Sequence, residues 1–266
     1  MKVSEVMSTE FETIEKDQSL HNALILMRKN KDTSRLIVIQ GEKPVGILSF
    51  RDVANRLGTY KTEGISPKSL HVSSAMTSPV LNIDKNESVE TAANMMFENR
   101  VSSLLVMEDE KLIGIMTKFN LLKVYDKCKK IKVKELMTEN PVMISASERV
   151  LSARNTMIEK KFSVLPVMDE GAIVGIIDDA TLADALARFR EQFSIKHQKS
   201  RLHEFYIGQV MKSDPPIIKE SAPLCDLITV FQETNYKGVF VVDNDERLVG
   251  IVTLTDITKA IVDGKK

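Results

Sequence analysis

The stretch Gly250 to Ile257, G-I-V-T-L-T-D-I, is a short apolar strand that ends on a hydroxyl residue, with an acid three positions later where a helical pattern begins. It recurs at Gly46–Val53 (G-I-L-S-F-R-D-V), Gly114–Leu121 (G-I-M-T-K-F-N-L) and Gly175–Leu182 (G-I-I-D-D-A-T-L). Four copies make an internal repeat, and its frame organises everything else in the chain.

Working outward, each copy opens on an apolar pair that ends in methionine: Val3–Met7, Val72–Met76, Val133–Met137 and Ile207–Met211. A bend follows, then a short extended piece (Thr9–Ile14, Ser78–Ile83, Asn140–Ile144, Asp214–Ile218). Pro79, Pro141, Pro215 and Pro216 exclude helix there, because proline lacks a backbone donor and restricts the residue before it. Next come apolar residues at helical spacing, such as Leu20, Ala23, Leu24 and Met27. The register is tight: 13 residues separate Met7 from Leu20, Met76 from Val89, Met137 from Val150 and Met211 from Leu224. Two strands close each copy, at Leu36–Ile39, Leu104–Met107, Val164–Met168 and Val239–Val242, each followed by the glycine strand, and a second helix begins at the hydroxyl–acid pair.

Each repeat therefore reads β-α-β-β-α, an α+β class, over roughly 60 to 65 residues, a size that buries too little surface to be robust alone. The expected units are 1–58, 70–128, 129–194 and 203–266, paired face to face as modules 1–128 and 129–266. Gly58–Ser69 reads as a loop, the basic run Lys127–Lys134 as a short joint, and Leu182, Ala185, Leu186, Phe189 and Phe193 as a helical extension before the polar stretch Lys196–Arg201.

Composition narrows the class. Hydrophobic residues make up 43% and charged residues 28%, ordinary for a soluble globular protein. The 37 basic residues balance 37 acidic ones, which argues against a dedicated nucleic-acid binder. Cys128 and Cys225 lie far apart with no CxxC spacing, so no disulfide framework and a reducing cytoplasm are expected. No apolar run reaches the roughly 18 residues of a membrane span. His21, His71, His197 and His203 show no metal-ligand spacing, and the methionines fall largely on apolar helix faces.

With the opening V-x-x-V-M, the strand pair and G-h-h-[ST]-x-x-[DN] (h, apolar), the chain resembles the CBS (cystathionine-β-synthase) domain family over nearly its whole length. Two such domains form a Bateman module. Four in one chain look like the gamma subunit of AMP-activated protein kinase in architecture. The resemblance implies a non-enzymatic regulatory protein that needs no cofactor, binds adenine nucleotide (AMP, ADP or ATP) in clefts between paired domains and signals to a protein partner. An interaction scaffold, or a binder of S-adenosylmethionine or NAD, is the alternative. No membrane or nucleic-acid partner is expected, and the chain should be a monomer or weak homodimer, which light scattering would test.

The site residues follow from that resemblance. A hydroxyl at a helix N-terminus lies where free backbone N–H groups favour phosphate, and an acid one turn on can grip a ribose diol. This pairs Ser49 with Asp52, Thr117 with Asn120 and Thr253 with Asp256. The same residues also read as helix caps, although Glu or Gln is the usual third-position partner. Repeat three has Asp178 for the hydroxyl and Thr181 for the acid, and should be a poor ribose site. Adenine contacts are assigned to the bend: Thr9 and Phe11, Ser78 and Val80, Pro216 and Ile217, although Phe11 and Val80 could equally be core. Arg35, the only basic residue just before the second strand, is the phosphate ligand that the resemblance implies, although it could equally be a surface arginine in a salt bridge, with Arg51, Arg100, Lys118 and Lys161 weaker candidates.

Overall fold

The computed structural model describes residues 1–29, 34–59, 62, 64–125, 131–193 and 195–264. Repeat one runs α1 (Val3–Val6), β1 (Thr13–Glu15), α2 (Leu20–Lys29), β2 (Arg35–Gln40), β3 (Lys43–Ser49) and α3 (Phe50–Leu57). Repeat two has a 3-10 turn at Val72–Ser74, then β4 (Asn82–Asp84), α4 (Val89–Glu98), β5 (Ser103–Glu108), β6 (Lys111–Thr117) and a second 3-10 turn, Asn120–Val124, where the other repeats carry an α-helix. Repeat three has a 3-10 turn at Val133–Glu135, β7 (Thr138–Glu139), β8 (Ile144–Ser145), α5 (Val150–Glu159), β9 (Val164–Asp169), β10 (Ala172–Asp178), α6 (Asp179–Gln192) and α7 (Ile195–Leu202). The last helix occupies the polar stretch expected as a spacer. Repeat four has a 3-10 turn at Ile207–Gln209, β11 (Ile217–Lys219), α8 (Leu224–Thr234), β12 (Gly238–Val242), β13 (Leu248–Thr253) and α9 (Leu254–Val262).

In every repeat the short strand just before the first long helix (β1, β4, β8 or β11) pairs parallel with the next strand, and that strand pairs antiparallel with the one after it, while β7 of repeat three adds antiparallel to β13 at the edge of repeat four's sheet. Each antiparallel pair within a repeat carries a bulge at the same place, for example between Val38 and Ile39 opposite Gly46 and Pro44. The helix face expected from spacing is the buried one: Leu20, Ala23, Leu24 and Met27 are all 2% exposed or less.

The chain forms two compact units. One gathers Met1–Phe11, Val80–Pro141 and Pro216–Lys266; the other gathers Glu12–Pro79 and Val142–Pro215. The first therefore holds the sheets and helices of repeats two and four, the second those of one and three, and both cut across the chain-order modules 1–128 and 129–266. Each unit has its own apolar core, one built on Val89, Met96, Leu104, Leu224 and Phe231, the other on Leu20, Met27, Leu36, Val150 and Leu182.

The opening turns are exchanged between chain neighbours. In the first unit, Val3 N–H donates to Glu87 O (2.9 Å) and Val133 N–H to Ala222 O (3.0 Å). In the second, Val72 N–H donates to Gln18 O (2.8 Å) and Ile207 N–H to Glu148 O (2.8 Å). The opening turn of each repeat is thus seated at the helix start of its neighbour, with Val3, Val72, Val133 and Ile207 fully buried there.

Cys225 is disulfide-bonded. This corrects the expectation of no disulfide, which rested on separation in sequence, and cysteine usage no longer points to a reducing compartment. Cys128 and Lys127–Lys130 lie outside the described residues. Among the described residues, no helix is long and apolar enough to cross a membrane.

Candidate functional site

The recurring glycine is a place of close approach. A Cβ added at Gly46 would lie 2.6 Å from Met76 Sδ, and at Gly114 it would lie 2.8 Å from Ser8 O and 2.9 Å from Met7 Sδ. At Gly175 it would meet Lys212 O at 2.7 Å and Met211 Sδ at 2.8 Å, and at Gly250 Met137 Sδ at 2.7 Å. Each opening methionine therefore packs on the glycine of the other repeat. The residue just after it bonds the strand there: Thr77 and Ile47 exchange backbone bonds of 2.8 and 3.0 Å, Ser8 and Ile115 two of 2.9 Å, and Lys212 and Ile176 bonds of 3.0 and 2.9 Å. Thr138 pairs with Ile251 in the same register.

This places a bend residue beside each hydroxyl–acid motif. The motif itself forms a helix cap. Ser49 N–H and Oγ donate to Asp52 Oδ2 (2.8 and 2.5 Å), and Thr253 N–H and Oγ1 donate to Asp256 Oδ2 (2.7 Å each). Thr117 N–H and Oγ1 donate to Asn120 Oδ1 with the same geometry (2.8 and 2.7 Å), but at the start of a 3-10 turn and not as the cap of an α-helix. Satisfying the first N–H groups of a helix stabilises it by about 1 kcal/mol, so the capping role stands by itself.

The other carboxylate oxygen turns to the bend. Asp52 Oδ1 accepts from Thr77 Oγ1 at 3.2 Å and Asp256 Oδ1 from Thr138 Oγ1 at 3.3 Å. Both are long for hydroxyl–carboxylate bonds, whose usual range is about 2.5 to 2.7 Å. Each such acid keeps an oxygen only loosely held, able to take a diol hydroxyl. Asn120 differs: its Nδ2 donates to Val6 O (3.0 Å) and Ser8 Oγ (3.1 Å), which points an amide donor where the acids point an acceptor.

Electrostatics separate the two compact units. In the second, the Arg35 guanidinium is brought down to about 10 by burial, against which Asp52 and Asp179 push it up and Arg51 pushes it further down. Burial raises Asp52 above the usual carboxylate range, the bonds from Ser49 and Thr77 oppose this, and Asp179 adds to it. Arg51 Nε donates to Asp179 Oδ1 (3.2 Å), and its Nη2 to Phe162 O (2.7 Å) and Ser163 Oγ (2.9 Å). The helix starts of repeats one and three are joined by this contact. In the first unit the corresponding contact is Lys118 Nζ to Thr255 Oγ1 at 3.1 Å, with Lys118 only 8% exposed.

The structure regroups the bend residues read from the sequence. Thr9 follows Ser8 and so belongs with Thr117 and Asn120; Ser78 follows Thr77 and belongs with Ser49 and Asp52. Both are exposed, while Phe11 and Val80 are half-buried. Pro216 is buried and its carbonyl accepts from Phe240 N–H (2.9 Å), whereas Ile217 is 44% exposed. Sequence reasoning missed Ser8, Thr77, Thr138 and Lys212, yet each directly follows its opening methionine. It also missed Asp179, which only the pairing of repeats one and three brings to Arg51.

The comparisons bear on the whole chain. The CBS domain model matches residues 3–59, 72–127, 133–192 and 207–263. Protein MJ1225 of Methanocaldococcus jannaschii is 23% identical over 265 residues, covering 93% of this chain and 94% of that protein. Its crystal structure, described as that of a proposed archaeal homologue of g-AMPK, superposes with a TM-score of 0.83 at 22% identity over 97% of this chain and 99% of that one. CBSX2 of Arabidopsis thaliana, solved in complex with AMP, is 28% identical, with a TM-score of 0.42 over 51% of this chain and 98% of its own. The CBS pair of protein MJ0100, solved with 5′-methylthioadenosine and S-adenosyl-L-methionine, has the same identity and a TM-score of 0.41 over 51% and 98%.

Proposed function

Because the chain belongs to the CBS domain family and carries four of its domains, we propose that it is a regulatory protein that binds adenine nucleotide at the hydroxyl–acid motifs of repeats one, two and four and passes the bound state to a protein partner. One observation carries this reading: Asp52 and Asp256 each cap a helix with one oxygen and hold the other against a single distant threonine hydroxyl. A ribose 2′,3′-diol can replace that hydroxyl without uncapping the helix. Ser49 and Thr253, at the starts of α3 and α9, would face the phosphate, Arg35 would be its cation, and the bends with Thr9, Phe11, Ser78, Val80, Pro216 and Ile217 would hold the base. A ligand shifts the protein only by its differential affinity for two conformations.

Calorimetric titration with AMP, ADP, ATP, adenosine and S-adenosylmethionine tests the reading. Asp52→Ala and Asp256→Ala should each weaken the ligand about tenfold to a hundredfold, the loss of charge-assisted hydrogen bonds worth about 1.5–3 kcal/mol. Thr181→Ala should change affinity less than twofold. Absence of heat and of any melting shift with every adenosine compound at millimolar concentration would leave the scaffold reading in its place.

A second reading has its own support. Arg35 already has Asp52 and Asp179 close enough to act on its charge, which disfavours a phosphate dianion and favours an adenosyl ligand without one. Adenosine binding as tightly as AMP, with Arg35→Ala leaving their ratio unchanged, would select this reading. A preference for AMP that shrinks in Arg35→Ala and at high salt would select the nucleotide.

A further inference from the structure

The motif of repeat three is reversed in chemistry but not in geometry. Asp178 stands at the strand end where the other repeats carry a hydroxyl, and it caps α6: its Oδ1 accepts from Thr181 N–H and Thr181 Oγ1, both at 2.7 Å. Its Oδ2 accepts from Lys212 Nζ at 3.0 Å. Lys212 is the bend residue of this place. It pairs with Ile176 as Thr77 pairs with Ile47 and Ser8 with Ile115, so an ammonium stands where the equivalent sites present a hydroxyl.

We propose that Lys212 and Asp178 form a built-in plug: the lysine takes the position of a ligand's polar group, and the repeat-three motif is closed from within rather than waiting for an adenosyl compound. This rests on the ligand reading of the other three motifs. At Asp52 and Asp256 a diol displaces one neutral hydroxyl held at 3.2 or 3.3 Å. At Asp178 it would displace an ammonium from a carboxylate that is 13% exposed, exchanging an ion pair for hydrogen bonds from uncharged hydroxyls. A phosphate drawn by Lys212 would meet Asp178 and, one residue on, the buried Asp179. Burial alone would push the Asp178 carboxyl up, but the Lys212 charge and the bonds from Thr181 and Lys212 outweigh it and hold the group below the usual range. The Thr181 hydroxyl is likewise committed, since it donates to Asp178.

Two measurements on the full chain test this. The first is ligand stoichiometry by calorimetry with AMP and with adenosine. The variant carrying Asp178→Thr, Thr181→Asp and Lys212→Thr restores T-x-x-D with a bend threonine, the arrangement of Thr253, Asp256 and Thr138. It should bind one more molecule per chain than wild type. Asp178→Thr with Thr181→Asp, which restores the acid but keeps Lys212, should add none, and a molecule gained there would show that the lysine does not close the motif. Unchanged stoichiometry in a triple variant that melts like wild type overturns the plug, as does a loss of one bound molecule in Asp178→Asn. The second measurement needs no ligand. In urea unfolding, Asp178→Asn and Lys212→Met should each lower the midpoint, and the double variant should fall no further than the worse single one. Additive shifts overturn the ion pair even if no adenosine compound binds the protein at all, an outcome that would separately refute the proposed function.

Discussion

Arg51→Ala is expected to destabilise the protein by about 3 kcal/mol, because it takes a charge-assisted hydrogen bond away from a buried carboxylate. The Asp179 side chain is 6% exposed, while that of Arg51 is 36% exposed. The cost therefore lies mostly on the Asp179 side, where desolvation of the charge persists after the arginine has gone. The same arginine also satisfies Phe162 O and Ser163 Oγ, and losing these adds to the effect. Arg51→Lys should recover only part, since an ammonium cannot span a carboxylate, a carbonyl and a hydroxyl as a planar guanidinium does. Removing both charges in Arg51→Ala with Asp179→Ala should cost less than Arg51→Ala alone. Urea midpoints of the three variants and wild type give the comparison. If the double variant is the least stable of the set, the pair is not what holds the two helix starts together.

Gly175→Ala is expected to cost about 3 kcal/mol, at the upper end for small-to-large changes in packed interiors. The added methyl carbon would lie 2.7 Å from Lys212 O and 2.8 Å from Met211 Sδ. The methionine side chain can turn away, but the carbonyl cannot, since it accepts from Ile176 N–H at 2.9 Å. Gly250→Ala should cost less, about 1 kcal/mol, because its tightest neighbour is Met137 Sδ at 2.7 Å while Thr138 O stays at 3.1 Å. Adding Met211→Ala to Gly175→Ala should give no rescue. In a chain of this size each kcal/mol moves the melting point by roughly 2–4 °C, so the two glycine variants should separate by several degrees. Equal melting points would show that the flexible methionine, not the backbone, sets the fit.

These residues also mark how far the sequence could be read. The position of Gly175 and its three counterparts was visible as a repeat, but what pressed on the glycine was not. Nor could the spacing tell that the opening turn of each repeat is seated on its neighbour, since β-α-β-β-α reads identically with the turn kept or exchanged. The cap was legible because it lies within three residues: a hydroxyl ending a strand and an acid one turn on satisfy the same N–H groups wherever the helix packs.

By itself, then, the sequence determined the repeat frame, the buried helix faces such as Leu20–Met27, the caps at Ser49 and Thr253 and the odd chemistry of Asp178 and Thr181. All of these depend on periodicity or on neighbours within one turn of chain. Only the tertiary structure decided that Thr77 faces Asp52, that Lys212 meets Asp178 across 34 residues and that Arg51 meets Asp179 across 128. No local propensity links such pairs. They are brought together by burying apolar faces of separate repeats, a driving force that is roughly proportional to area and indifferent to direction, and the polar groups carried along must then be satisfied where they land.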